Sequence, residues 1–139
     1  MALSADTNLV FAEGENSIPA GAGVEVFKGS MISVSADSSI GVGYGNPLEA
    51  GEVFAGHAME GCDNTDGDAG DLDITLRDGA PYRLVVTISD VNQENVGATV
   101  YASDDATCTL TAGSNSRVGI VLRVTDTDEA EVLFEPIVS

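Results

Sequence analysis

The residues best able to do chemistry in this chain are one histidine, two cysteines and a dense acidic run. His57 stands between Gly56 and Ala58 in an apolar stretch. One imidazole is too few for a histidine-rich zinc site within a single chain, and a serine triad would have to use it. No Gly-x-Ser-x-Gly elbow accompanies it, so His57 reads as a structural histidine rather than a base. The run from Cys62 to Asp73 sets carboxylates at alternating positions around a glycine, the way oxygen ligands converge on a hard cation. With Gly67 at the sixth position of an EF-hand loop, Asn64, Asp66 and Asp68 fall at the third, fifth and seventh. Cys62 then takes the first position and Asp73, not glutamate, the twelfth, with no helical pattern on either side. Calcium held by Asn64, Asp66, Asp68 and Asp73 is one reading of this run. An exposed acidic loop joining two strands is the other.

Other motifs fall short of a catalytic set. Gly41-Val42-Gly43-Tyr44-Gly45 lacks the lysine and the following helix of a phosphate-cradling loop, and reads as a flexible loop. Carboxylate pairs for glycoside hydrolysis can be drawn anywhere in a chain with 23 acidic residues, and there is no tryptophan to line a sugar cleft. No nucleophile, base and orienting residue can be named together, so the expectation is a non-enzyme without a cofactor. Cys62 and Cys108 are too few for a disulfide framework; both are expected to be reduced, with Cys108 a small core residue.

The elements that must position these residues are strands. Hydrophobic residues make up 43% of the 139, enough to offset the entropy of ordering despite a net charge of -18. That charge repels phosphate backbones and anionic headgroups, which argues against nucleic-acid and membrane partners. The first residues carry no basic patch, and no apolar stretch approaches a signal core or membrane span. From Val24 onward the period is two. Ile32 to Ala36 puts apolar side chains on one face and serines on the other. Leu72, Ile74 and Leu76 alternate with Asp71, Asp73, Thr75 and Arg77, and Leu84, Val86 and Ile88 follow. Gly56 inside the extended segment Glu52 to Met59 suggests a bulge. Val100 and Tyr101 open a hairpin that turns at Asp104-Asp105 and returns through Cys108 and Leu110. A second hairpin runs Val118, Ile120, Leu122 and Val124 out to the turn at Asp126 to Asp128, then back through Ala130, Val132 and Phe134. One short helical turn is expected within Asp90 to Val96, stopped by Gly97.

This pattern predicts an all-β fold, a small barrel or sandwich of short antiparallel strands over residues 24–139. Residues 1–23 read as an extended arm interrupted by Glu13 to Asn16 and by the hinge-like Ile18 to Gly23 stretch. Leu3, Leu9, Val10 and Phe11 give the arm something to bury, either as an edge strand of the same sheet or by pairing with a neighbouring molecule.

Several segments in succession resemble the capsid decoration, or cement, proteins of tailed phages. They are Val26-Phe27-Lys28-Gly29 leading into Ile32-Ser33-Val34, Phe54 to Gly61 with Asp63-Asn64, Gly79 before Tyr82-Arg83-Leu84, Val96 to Asp105, and Val118-Gly119-Ile120-Val121. The resemblance implies a structural virion protein, made in the host cytoplasm, that binds the outer surface of an icosahedral shell and clamps neighbouring major capsid proteins. A homotrimer is its expected form. The strong acidity and His57, in place of an apolar residue, depart from the pattern. Under this reading the capsid contacts are Leu3, Leu9, Val10 and Phe11 of the arm, then Tyr44 and Asn46 of the Gly41 to Pro47 loop. Deleting Met1 to Gly21 is expected to leave a folded body that no longer binds capsids. The alternative from another class is a calcium-dependent extracellular adhesin module using the acidic loop.

Overall fold

The computed structural model describes residues 16–77 and 81–136. Its strands are short and separated by turn residues, as the period-two pattern predicts. They are β1 (Ser17–Pro19), β2 (Glu25–Val26), β3 (Met31–Val34), β4 (Gly45–Pro47), β5 (Val53–His57), β6 (Cys62–Asp63), β7 (Asp73–Thr75), β8 (Tyr82–Thr87), β9 (Thr99–Ala102), β10 (Cys108–Thr109), β11 (Ser116–Asp126) and β12 (Glu129–Phe134). A single 3-10 turn at Gln93–Asn95, capped by Asn92, lies within the expected helical stretch. The fold is all-β and every strand pair is antiparallel.

Two apolar cores divide the molecule. The five-stranded sheet, in the order β10-β9-β11-β12-β8, curls into a half-barrel whose ends are joined where Ile88 bridges Cys108. Val100, Val118, Val121, Ala130, Val132 and Phe134 fill it, and each is at most 1% exposed. The two hairpins expected from the sequence supply four of its five strands. The second core belongs to three smaller sheets, β4-β3-β5, β1-β7 and β2-β6, and gathers Ile18, Val26, Ile32, Ala55, Ile74 and Leu76.

Strands β3 and β5 serve both cores, because successive side chains point to opposite faces. Met31 and Phe54 enter the half-barrel core, while Ile32 and Ala55 enter the second. A bulge falls where Ile32 pairs with Gly56 and Ser33 with Phe54, and Gly56 takes φ +135 there. The expected polar face of β3 is therefore buried as well. Ser33 and Ser35 are 0% and 2% exposed. Ser33 Oγ lies 2.7 Å from Glu52 Oε1 and 3.0 Å from the side-chain amide of Asn46. A hydroxyl has one proton to give, and the carboxylate is the stronger acceptor. Ser33 thus donates to Glu52, and the Asn46 NH2 donates to Ser33 Oγ, the Ser33 carbonyl and Glu52 Oε1 at 3.0, 3.0 and 3.1 Å.

Four expectations need correction. Leu72 is 45% exposed and lies before strand β7, which begins at Asp73. In β11 bulges fall between Arg117 and Gly119 and between Val121 and Arg123, shifting the inward phase; Val118 and Val121 are buried, while Ile120 and Leu122 are half-buried. The Gly41 to Pro47 segment is a loop only in its first half, since Gly45–Pro47 is strand β4. Gly45 is needed there: a Cβ would stand 2.7 Å from Ile18 Cγ2 and 3.0 Å from Ile74 Cδ1.

The fourth correction concerns the inner end of the arm. Residues 16–23 belong to the body: β1 pairs with β7, Ile18 and Ala20 are 5% and 0% exposed, and the amides of Ala20, Gly21 and Ala22 bond to Leu72, Gly45 and Ile40. Leu3, Leu9, Val10 and Phe11 lie outside the described residues. Deleting Met1 to Gly21 would strip the second core of Ile18 and Ala20, and losing Ile18 alone costs about 2–5 kcal/mol. A chain beginning at Asn16 is expected to melt cooperatively near the full-length temperature, and one beginning at Ala22 to be largely unfolded, by circular dichroism.

Candidate docking surface

His57 ends β5, where Gly56 turns the backbone so that the imidazole enters the half-barrel wall. It is 8% exposed, meets Phe134 edge-on at 4.6 Å between centroids, and brings Nδ1 to 2.6 Å from the Tyr82 hydroxyl. Burial, and then the nearby Arg77 charge, lower its pKa to about 4. Burial also pushes the Tyr82 hydroxyl upward. Tyr82 therefore keeps its proton and donates it to Nδ1, which leaves the hydrogen of the neutral ring on Nε2. The pair ties β5 to β8. Cys62 and Cys108 are both free thiols, and burial raises Cys108 to about 11, with its Sγ 4.0 Å from Met31 Sδ. A thiol so placed packs as an apolar group.

The acidic run folds as a tight loop. Asn64 is 2% exposed, and its NH2 donates to the carbonyls of Gly21 and Asp68 at 2.8 and 3.0 Å. Asp63 Oδ1 accepts from Thr65, and Asp71 Oδ2 accepts from the Asp68 amide. The side chain proposed at the third calcium position thus fastens the loop to the second core, while Asp66, Asp68 and Asp73 are exposed to solvent. Among the described residues no three His, Cys, Asp or Glu side chains come together as a metal cluster. Of the loop contacts expected at Tyr44 and Asn46, Tyr44 is half-buried and Asn46 is 2% exposed, bound into the Ser33 and Glu52 network. Asn46 has no surface to offer a partner.

The surface that stands out surrounds β8. Among the described residues this strand pairs only with β12, so alternate N–H and C=O groups along its other edge have no strand beside them. A groove of about 360 Å³ follows that edge, bordered by Lys28, Met59, Arg77, Leu84, Val85 and Val86. Beyond it a smaller recess of about 210 Å³ sits at the half-barrel seam, between Val86 and Thr87 on one side and Cys108 on the other. Met59 and Val85 are 43% and 54% exposed, and Phe27, next to Lys28, is 66% exposed.

Charge is distributed as unevenly as apolar surface. The chain has five basic residues. Lys28 and Arg77 border the groove, and Arg83 and Arg123 flank Glu131 on the neighbouring face at 3.5 and 2.8 Å. Four of the five cations of an otherwise acidic molecule therefore surround one strand. Arg77 lies over the Tyr82 ring at 5.3 Å, and its buried Nε has no hydrogen-bond partner among the described residues. Sequence reasoning missed the surface because its parts come from turn 27–29, the end of β5 and β8. The one available signal was the apolar run Leu84-Val85-Val86, which lacks alternation.

A buried neutral histidine makes stability depend on pH. The unfolded chain takes up the His57 proton near 6.5 and the folded one only near 4, so stability is complete above 6.5 and falls as pH drops from 6.5 to 4. From about pH 7 to about pH 5 this group is expected to cost about 2 kcal/mol. Denaturant midpoints should show that slope in the native chain and its loss in His57→Gln. Calcium at about 5 mM is expected to leave the melting temperature of the full chain within about 1 °C of its metal-free value, by scanning calorimetry.

Compared with protein-family models and with curated proteins, the chain matches none.

Proposed function

We propose that this protein is a structural, non-enzymatic component that decorates a larger protein shell, docking through the surface around β8. The observation that carries the reading is the coincidence, on one strand edge, of backbone groups unpaired among the described residues, an apolar groove and two of the chain's five cations, Lys28 and Arg77. Main-chain pairing supplies affinity to such an edge, and the flanking pockets supply selectivity. The remaining surface is acidic and keeps copies apart in solution and on a crowded lattice.

The resemblance to tailed-phage cement proteins names the shell: an icosahedral capsid, with the major capsid protein as partner and a trimer as the working unit. Three bodies held together engage three sites at once, so weak individual contacts suffice. The segment 1–15, with Leu3, Leu9, Val10 and Phe11, remains the second candidate for capsid contact.

Quantitative mass spectrometry of density-purified particles from the source tests the reading. A copy ratio to the major shell protein on the order of one supports it, and absence from particles overturns it. Val85→Glu, on an exposed position of β8, is expected to lower occupancy on particles at least about tenfold while leaving the melting temperature nearly unchanged.

A further inference from the structure

The recess at the half-barrel seam collects soft donors from three strands. Met31 of β3, His57 of β5 and Cys108 of β10 all border its volume of about 210 Å³. Met31 and His57 are direct partners across the β3–β5 ladder. Residues so placed have their Cβ atoms about 4.5–5.5 Å apart and their side chains on the same face. Cys108 reaches Met31 from β10, with its Sγ 4.0 Å from Sδ.

A thiolate, a thioether and an imidazole form a donor set that selects a soft cation such as Cu(I) over the hard ions that carboxylates hold. Two sulfurs bound at about 2.3 Å to one ion, and about 120° apart around it, stand about 4.0 Å from each other. Met31 and Cys108 already have that separation, so an ion enters between them without parting the strands. His57 supplies the third position. Its Nδ1 is committed to Tyr82, which leaves Nε2 as the second ring nitrogen of a residue that borders the recess and keeps 8% of its surface open. Asp105, half-buried, borders the same recess and adds a negative charge beside it.

We propose that Cys108, Met31 and His57 bind one Cu(I) ion at this seam in trigonal coordination, and that the ion pins β3, β5 and β10 together. On binding, the Cys108 thiol gives its proton to solvent and its sulfur bonds the metal. The imidazole stays neutral: its hydrogen passes from Nε2 to Nδ1 and is donated to the Tyr82 oxygen, whose own hydrogen turns away. No oxidation state changes. The site is independent of docking along β8, so either reading can fail alone.

Titration of the full chain with Cu(I), anaerobically and in competition with the chromophoric chelator bicinchoninate, tests the proposal. One equivalent is expected to leave the chelator, with a rise in melting temperature by scanning calorimetry. Copper X-ray absorption of that complex should show two sulfurs at about 2.3 Å and one nitrogen at about 2.0 Å. Met31→Leu and His57→Gln are each expected to weaken binding at least about tenfold and Cys108→Ser at least about a hundredfold, with Cys62→Ala unchanged. Failure to compete with the chelator overturns the proposal. So does affinity that is unchanged in Met31→Leu or lost in Cys62→Ala, since the ion would then sit on the other thiol. If Cys108→Ser fails to fold, Met31→Leu and Cys62→Ala decide between these outcomes.

Discussion

The architecture depends on two strands that are buried on both faces along most of their length. β3 and β5 lie between two apolar cores, so beyond the exposed Val53 their apolar residues serve one core or the other, and polar groups caught there must satisfy one another. The Ser33, Asn46 and Glu52 cluster is the result. Its members come from β3, β4 and the turn before β5, and Glu52 Oε2 also accepts from the Ala36 amide at 2.8 Å. Ser116 extends the cluster to the half-barrel, bonding the backbone of Gly51, Glu49 and Glu52. A polar seam thus fixes how the two cores face each other, where apolar contact alone would tolerate sliding.

The same logic explains why His57 is tolerated in a wall otherwise made of Phe54, Tyr82 and Phe134. Its ring supplies the bulk of an aromatic residue, and its one acceptor meets the one hydroxyl within reach. With β5 and β8 joined there, the start of β8 is held rigidly while its outer edge stays open. The groove is therefore built on a fixed strand and not on a loop, and a surface of that kind loses little entropy on binding.

Much of the half-barrel was legible because its strands alternate cleanly. Ala130, Val132 and Phe134 face inward as their spacing demands, and the Val100 to Leu110 hairpin turns at the aspartates. Legibility failed where a strand is buried on both sides or bulged. Serine in β3 signals a wet face under a period-two rule, and nothing local reveals a second core behind it. In β11 two bulges move Val121 inward, a shift that depends on what the neighbouring strands do. The polar residues Asn46 and Asn64 resembled surface candidates because their spacing fits a loop or a cation site, yet both fasten backbone inside the body. The groove could not be read at all, since its rim joins positions from Lys28 to Val86 that only the fold brings together.

The position of β1 has a mechanical consequence. Tension applied at Asn16 passes through three paired residues into β7, the edge of the second core. The half-barrel is not on that load path: it meets the second core through β3, β5 and the polar seam. A pull at Asn16 therefore strains the smaller sheets first, and the curled five-stranded sheet keeps its shape while they give.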